Sequence, residues 1–225
     1  MVNKVKSSLN NTKNRIKSID FNAHWYRRVF HTFGASFLFY YILPDEYWFN
    51  LLKFWIPLII VIFVIGLEFI RIKGIISSSH FFGLRMYEKK RVGSYVFFAV
   101  AILILLMFFP QQIAIPCILC ASIADPLMGE IRIHLNKKHV IIFGFLICFS
   151  LFALTWYKFD LWLILLFGFL GSLGAVIGET KKFWWLDDDF MIQMVPAILL
   201  LILWLILQIM GFDISLEPII YPSVW

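Results

Sequence analysis

Apolar runs of ~15–22 residues recur along almost the whole chain, each long enough as a helix to cross a hydrocarbon core of ~30 Å. They are separated only by short charged segments, and no polar stretch between them is long enough to fold as a soluble domain. Hydrophobic residues make up 61% of the sequence and charged residues 15%, which is too little polar surface to coat a globule in water. Lipid must cover the remainder. The sequence therefore predicts one all-α unit, a polytopic membrane helical bundle of about seven transmembrane helices. The expected spans are residues 29–43, 51–70, 94–109, 111–128, 139–157, 161–178 and 191–211. The third and fourth are separated only by Pro110, Gln111 and Gln112, so they form a tight helical hairpin if both cross.

Orientation follows from where the cations lie. Of 20 Lys and Arg residues, seven precede the first span, six lie in residues 71–93, three in 129–138, and Lys181 and Lys182 complete the set. Only Lys53 and Lys158 fall elsewhere, while the opposite connections carry Asp45, Glu46, Asp160, Asp213 and Glu217. Basic segments are retained on the cytoplasmic side, so the N-terminus is expected in the cytoplasm and the C-terminus outside. The net charge of +6 thus reads as a topology signal and phospholipid contact rather than a nucleic-acid footprint. The domain plan is a basic cytoplasmic segment over 1–28, a membrane catalytic domain over 29–212 and a short tail over 213–225. Residues 1–28 stay polar and basic too long for a signal peptide and are expected to remain on the mature chain. No organelle signal is evident, which favours the plasma membrane.

Topology explains the cations but not the acidic residues beside them. Glu68 stands three residues before Arg71, Arg85 three before Glu88, and Arg28 three before His31, so each pair shares a face if helical. Local ion pairing at helix ends is one explanation; three such pairs at one boundary also fit a site. Asp125 lies in the apolar segment CASIADPLMGE, where a carboxylate at membrane depth is costly and points to catalysis or metal binding. Arg132, Lys137 and Lys138 follow it, and cations beside a carboxylate at an interface suit a polyphosphate with Mg²⁺. Glu179 closes the sixth span, and Asp187, Asp188 and Asp189 precede the seventh. Three adjacent carboxylates repel unless a cation or basic groups answer them, or unless they cap the helix dipole. Trp184 and Trp185 read as interfacial anchors. Cys117, Cys120 and Cys148 sit in apolar runs as small packing residues, with no second pair to complete a metal site. P-loop, serine-hydrolase elbow and zinc-protease signatures are absent from the sequence, and His24, His31, His80, His134 and His139 have no metal spacing.

Taken in order, R-R-x-x-H-x-x-G (Arg27, Arg28, His31, Gly34), E-x-x-R (Glu68, Arg71), R-x-x-E with a following G-x-Y (Arg85, Glu88, Gly93, Tyr95), A-D-P (Asp125), and Glu179 with Asp187 and Asp188 form a series. That series resembles the dolichol kinase and phytol kinase family, multi-pass enzymes related to the phosphatidate cytidylyltransferases. The resemblance covers roughly residues 24–200. It implies a CTP-dependent kinase acting on a membrane lipid alcohol of the polyprenol, phytol or diacylglycerol type, with Mg²⁺ as cofactor. It further implies Asp125 and Lys138 as catalytic residues. Arg28, His31, Glu68, Arg71, Arg85, Glu88, Arg132 and Lys137 are implied nucleotide contacts, and Asp125, Glu179, Asp187 and Asp188 implied metal ligands. Cytidylyl transfer to a lipid phosphate is the near alternative. Transport or a non-catalytic role is the distant one, because charges here hug one interface and the two halves do not repeat.

Overall fold

A computed structural model describes residues 28–76, 88, 91–180 and 186–222, all helix, turn or coil with no strand among them. Six helices follow one another: α1 (Tyr47–Ile72), α2 (Ser94–Phe108), α3 (Gln111–Ile131), α4 (Lys137–Thr155), α5 (Leu161–Thr180) and α6 (Asp188–Ile209). Five of them, α1 and α3 to α6, are long and apolar enough to cross a membrane, and α2 is a shorter apolar helix of 15 residues. The chain is a multi-pass membrane protein. Large apolar side chains such as Trp55, Ile59 and Phe63 on α1 are exposed, as lipid contact requires.

The expected first span, 29–43, takes a different form. The chain is α-helical over residues 28–33 and then tightens into a 3₁₀ helix, Gly34–Tyr41, an uncommonly long run of that geometry. This segment is held by a close approach at Gly34. A Cβ there would lie 2.4 Å from Phe98 Cζ on α2 and 2.8 Å from Ser122 Oγ on α3. Only glycine lets the segment sit this deeply between the two helices, and that depth carries His31 into the bundle. At the charged end the limits of α3 to α6 shift outward, because polar residues that a hydropathy reading leaves in loops join the helices: Asp187 caps α6, and Glu179 and Thr180 extend α5, whereas the opposite ends of α4 and α6 stop two residues short of the expected 157 and 211.

Packing is densest between α5 and α6, with α4 against α5, α2 against α6 and α1 resting mainly on α2. At Gly178 a Cβ would lie 2.4 Å from the Met191 carbonyl oxygen, so α5 and α6 meet backbone to backbone at their charged ends. Gly178→Ala is expected to cost roughly 1–3 kcal/mol, read as a lower unfolding midpoint in detergent. The aromatic core is held by Trp156, stacked on Phe167 at 3.8 Å, with its indole N–H donated to the Gln112 carbonyl at 3.1 Å.

Helix direction alternates, so the end of α3, the start of α4, the end of α5 and the start of α6 share one end of the bundle. Among the described residues Arg28, Arg71, Lys73, Arg91, Arg132, Lys137 and Lys138 lie at that end, whereas Lys53, paired with Asp45, and Lys158, beside the C-terminal segment, lie at the other. The alternation read from the loops is thus a spatial one, with cations gathered on one side.

Candidate functional site at the charged end

Three segments distant in sequence converge on His31. Its Nδ1 lies 3.2 Å from Asp125 Oδ2 and its Nε2 3.4 Å from Asp189 Oδ2, while the ring stacks on Phe98 at 4.9 Å. His31 and Asp189 are each 2% exposed. Asp125 owes its direction to a local defect in α3: residues Cys120–Ala124 form a π-helical turn, and the Asp125 N–H bonds back to the Cys120 carbonyl. Such a turn re-aims the residues after it and is common at functional sites. One turn deeper on each helix, Ser122 and Gln193 are fully buried, and Ser122 Oγ and Gln193 Oε1 have no hydrogen-bond partner among the described residues. Polar oxygens left open beside a carboxylate cluster call for a partner such as water, an ion or another polar group.

The acidic run divides its roles by helix phase. Asp187 is the N-cap of α6, its carboxylate accepting the Asp189 N–H at 3.2 Å; Asp188 faces a neighbouring cavity; Asp189 turns inward to His31. His31, Asp125 and Asp189 can bring one atom each within 4.8 Å of one another, and so can the three adjacent aspartates. Burial, then the hydrogen-bonding Asp188 and the charge of Asp189, push the Asp187 carboxyl up to about 8. A carboxyl whose folded pKa exceeds its unfolded value of ~3.9 favours the protonated fold, so stability falls as pH rises from about 4 to about 8. Asn keeps the cap while removing the charge. In chelator, Asp187→Asn is therefore expected to melt higher than wild type at pH 8 and alike near pH 4, by ~2–4 °C for each kcal/mol of repulsion removed.

Beside the cluster, a cavity of about 620 Å³ opens between the end of α3, α4, α5 and α6, lined by Arg132, Lys137, Glu179 and Asp188 on its polar side and by Met128, Val140, Ile141 and Val176 on its apolar side. Arg132 is ion-paired with the nearly buried Glu179, and Arg28 with Glu130. Sequence spacing alone ties neither pair together. Lys138 is exposed in the first turn of α4, next to the cavity wall formed by Lys137.

Glu68 and Arg71 make a separate structure. Arg71 Nε and NH2 donate to the two Glu68 oxygens at 2.6 and 2.7 Å, and the Gly93 N–H and Tyr95 hydroxyl each add a bond of 2.5 Å. Arg71 also donates to the Arg91 carbonyl at 2.6 Å. Two sequence elements that stand apart in the chain, E-x-x-R and G-x-Y, thus form one buried clamp that joins the end of α1 to the start of α2. Each Glu68 oxygen already accepts two hydrogen bonds, so the geometry explains this pair as a fold clamp rather than a ligand contact. Glu88 is 1% exposed and its carbonyl accepts the Arg91 N–H at 3.1 Å. Arg85 lies outside the described residues.

The sequence reading names neither Glu130, Ser122 nor Gln193 as site residues, and it takes Asp189 only as part of the acidic run. A signal existed for Asp189: Gln193, four residues on in an otherwise apolar helix, marks the inward face. Compared with family models, with curated proteins and with solved structures, the chain matches none of them.

Proposed function

We propose that the protein is a CTP-dependent kinase that phosphorylates a membrane lipid alcohol of the polyprenol, phytol or diacylglycerol type at the cytoplasmic interface. The observation that carries this reading is the meeting of Asp125 and Asp189 around His31 beside a half-polar, half-apolar cavity at the cationic end of a membrane bundle. The basic end faces the cytoplasm under the positive-inside rule, in the plasma membrane. The apolar wall suits a lipid tail, and Arg132 and Lys137 suit phosphate oxygens.

The carboxylate oxygens of Asp125 and Asp189, with Gln193 behind them, are hard donors that fit Mg²⁺, while the His31 nitrogen between them suits a softer ion and serves better to position carboxylates. Bound there, Mg²⁺ supplies positive charge against the triphosphate. Asp125, held by His31 Nδ1, orients the lipid hydroxyl and takes its proton as the oxygen forms a bond to the γ-phosphorus. The bond from that phosphorus to the bridging oxygen breaks, and CDP leaves with the electron pair. Arg132 and Lys137 offset charge on the phosphate oxygens, Arg132 having Glu179 to fix its direction. Positioning and electrostatics carry such a transfer, so no nucleophilic side chain is needed.

Product analysis tests the reaction class. Incubation with CTP, Mg²⁺ and a broad lipid extract is expected to release CDP, and chelation to stop it. Release of pyrophosphate instead would move the assignment to cytidylyl transfer, and neither product would remove catalysis on CTP altogether.

A further inference from the structure

We propose a second binding site, at the opposite end of the bundle, for a small zwitterion that joins a phosphate to a primary ammonium, of the phosphoethanolamine type. The site is a cavity of about 180 Å³ bounded by the first turn of α3, the α4–α5 turn and the C-terminal segment. At ~30 Å³ per molecule of liquid water it has room for roughly six waters, which suits a headgroup and not a nucleotide. It shares no lining residue with the larger cavity and does not depend on the kinase reading.

The walls are fixed. Gln111 Oε1 accepts the N–H groups of Ile219 and Ile220 at 2.9 Å each, and its Nε2 donates to the Ile220 carbonyl at 3.1 Å. Trp204 and Gln208 donate to the Ile214 carbonyl at 3.1 and 2.8 Å. The segment carrying Ser215 and Glu217 is therefore tied at both ends over the cavity. Gln112, on the α3 wall, is 2% exposed, and its Oε1 has no hydrogen-bond partner among the described residues. A buried amide in that state calls for a donor.

Charge completes the recognition. Lys158 and Glu217 bring opposite signs to one lining, yet neither is ion-paired with another described residue; Lys158 Nζ lies 5.9 and 5.7 Å from the rings of Tyr157 and Tyr221. A zwitterion answers both: its phosphate meets Lys158 and the Ser215 hydroxyl, and its ammonium N–H groups meet Glu217 and the Gln112 amide oxygen. The Thr155 hydroxyl, which donates to the Phe152 carbonyl at 2.9 Å, keeps its oxygen to accept. A trimethylammonium group has no N–H, so phosphocholine leaves these acceptors unsatisfied.

The moiety has two sources, a free molecule or a phospholipid headgroup in the adjoining leaflet. The full chain in nanodiscs of pure phosphatidylcholine would be titrated with O-phosphoethanolamine and with phosphocholine, followed by tryptophan fluorescence and calorimetry. Saturable binding of O-phosphoethanolamine is expected, roughly tenfold or more weaker for phosphocholine and for the exposed-site variants Lys158→Ala and Glu217→Gln. In nanodiscs of phosphatidylethanolamine, loss of that binding supports the site with the lipid headgroup as occupant, and retention supports it with the free molecule. No saturable binding by wild type, equal affinity for phosphocholine, or affinity unchanged in both variants would overturn the proposal.

Discussion

Asp125→Asn is expected to lower lipid phosphorylation by roughly 10²–10³-fold while leaving the protein folded, the loss typical of removing one charge-stabilising group from an active site. Asn is nearly isosteric and keeps an oxygen within reach of His31, so the helix and its π-helical turn have no reason to change. What disappears is the negative charge that orients and deprotonates the acceptor hydroxyl. KM for the nucleotide should move much less than kcat, because the phosphates are assigned to Arg132 and Lys137. Asp189→Asn, on the other side of His31, is expected to give a loss of the same order. Full activity in both variants would remove the cluster from the chemistry.

Arg71→Met is expected to produce the largest loss of stability, about 3–5 kcal/mol, because it leaves the buried Glu68 carboxylate without its guanidinium. Replacing both partners, as Glu68→Leu with Arg71→Met, should recover part of that loss. Full recovery is not expected, since the double variant also takes the Glu68 acceptor away from the Gly93 amide and the Tyr95 hydroxyl at the α1–α2 junction. Urea or SDS titration in detergent reads both. A nucleotide-binding role for the pair predicts the opposite pattern, with stability little changed and KM for the nucleotide raised.

The all-helical membrane class was legible because apolar length and lipid thickness leave few alternatives, and the sidedness of the cations because loop charge alternates. Asp125 stood out for a similar reason, as a carboxylate among apolar neighbours. The span count was less legible. Residues 29–43 are apolar enough to resemble a short span, and nothing in hydropathy distinguishes an α-helix from the 3₁₀ run that Gly34 permits. The acidic run before α6 was legible only as a cluster. Three adjacent aspartates carry no phase by themselves, and which one faces inward depends on Asp187 being the cap. The i, i+3 spacing paired Glu68 with Arg71 correctly, but the partners that saturate the carboxylate lie 25 and 27 residues away, and only packing brings them there. Likewise Arg28 and His31 share a face as their spacing requires, yet their partners Glu130 and Asp125 come from α3.

The most direct test of the central claim is transfer of ³²P from γ-labelled CTP, with Mg²⁺, to a broad lipid extract by purified protein, run side by side with Asp125→Asn. The expected result is label in a chloroform-soluble product that is lost in the variant. Absence of labelled lipid with folded wild-type protein, or equal labelling by the variant, would contradict a lipid-alcohol kinase built on this carboxylate.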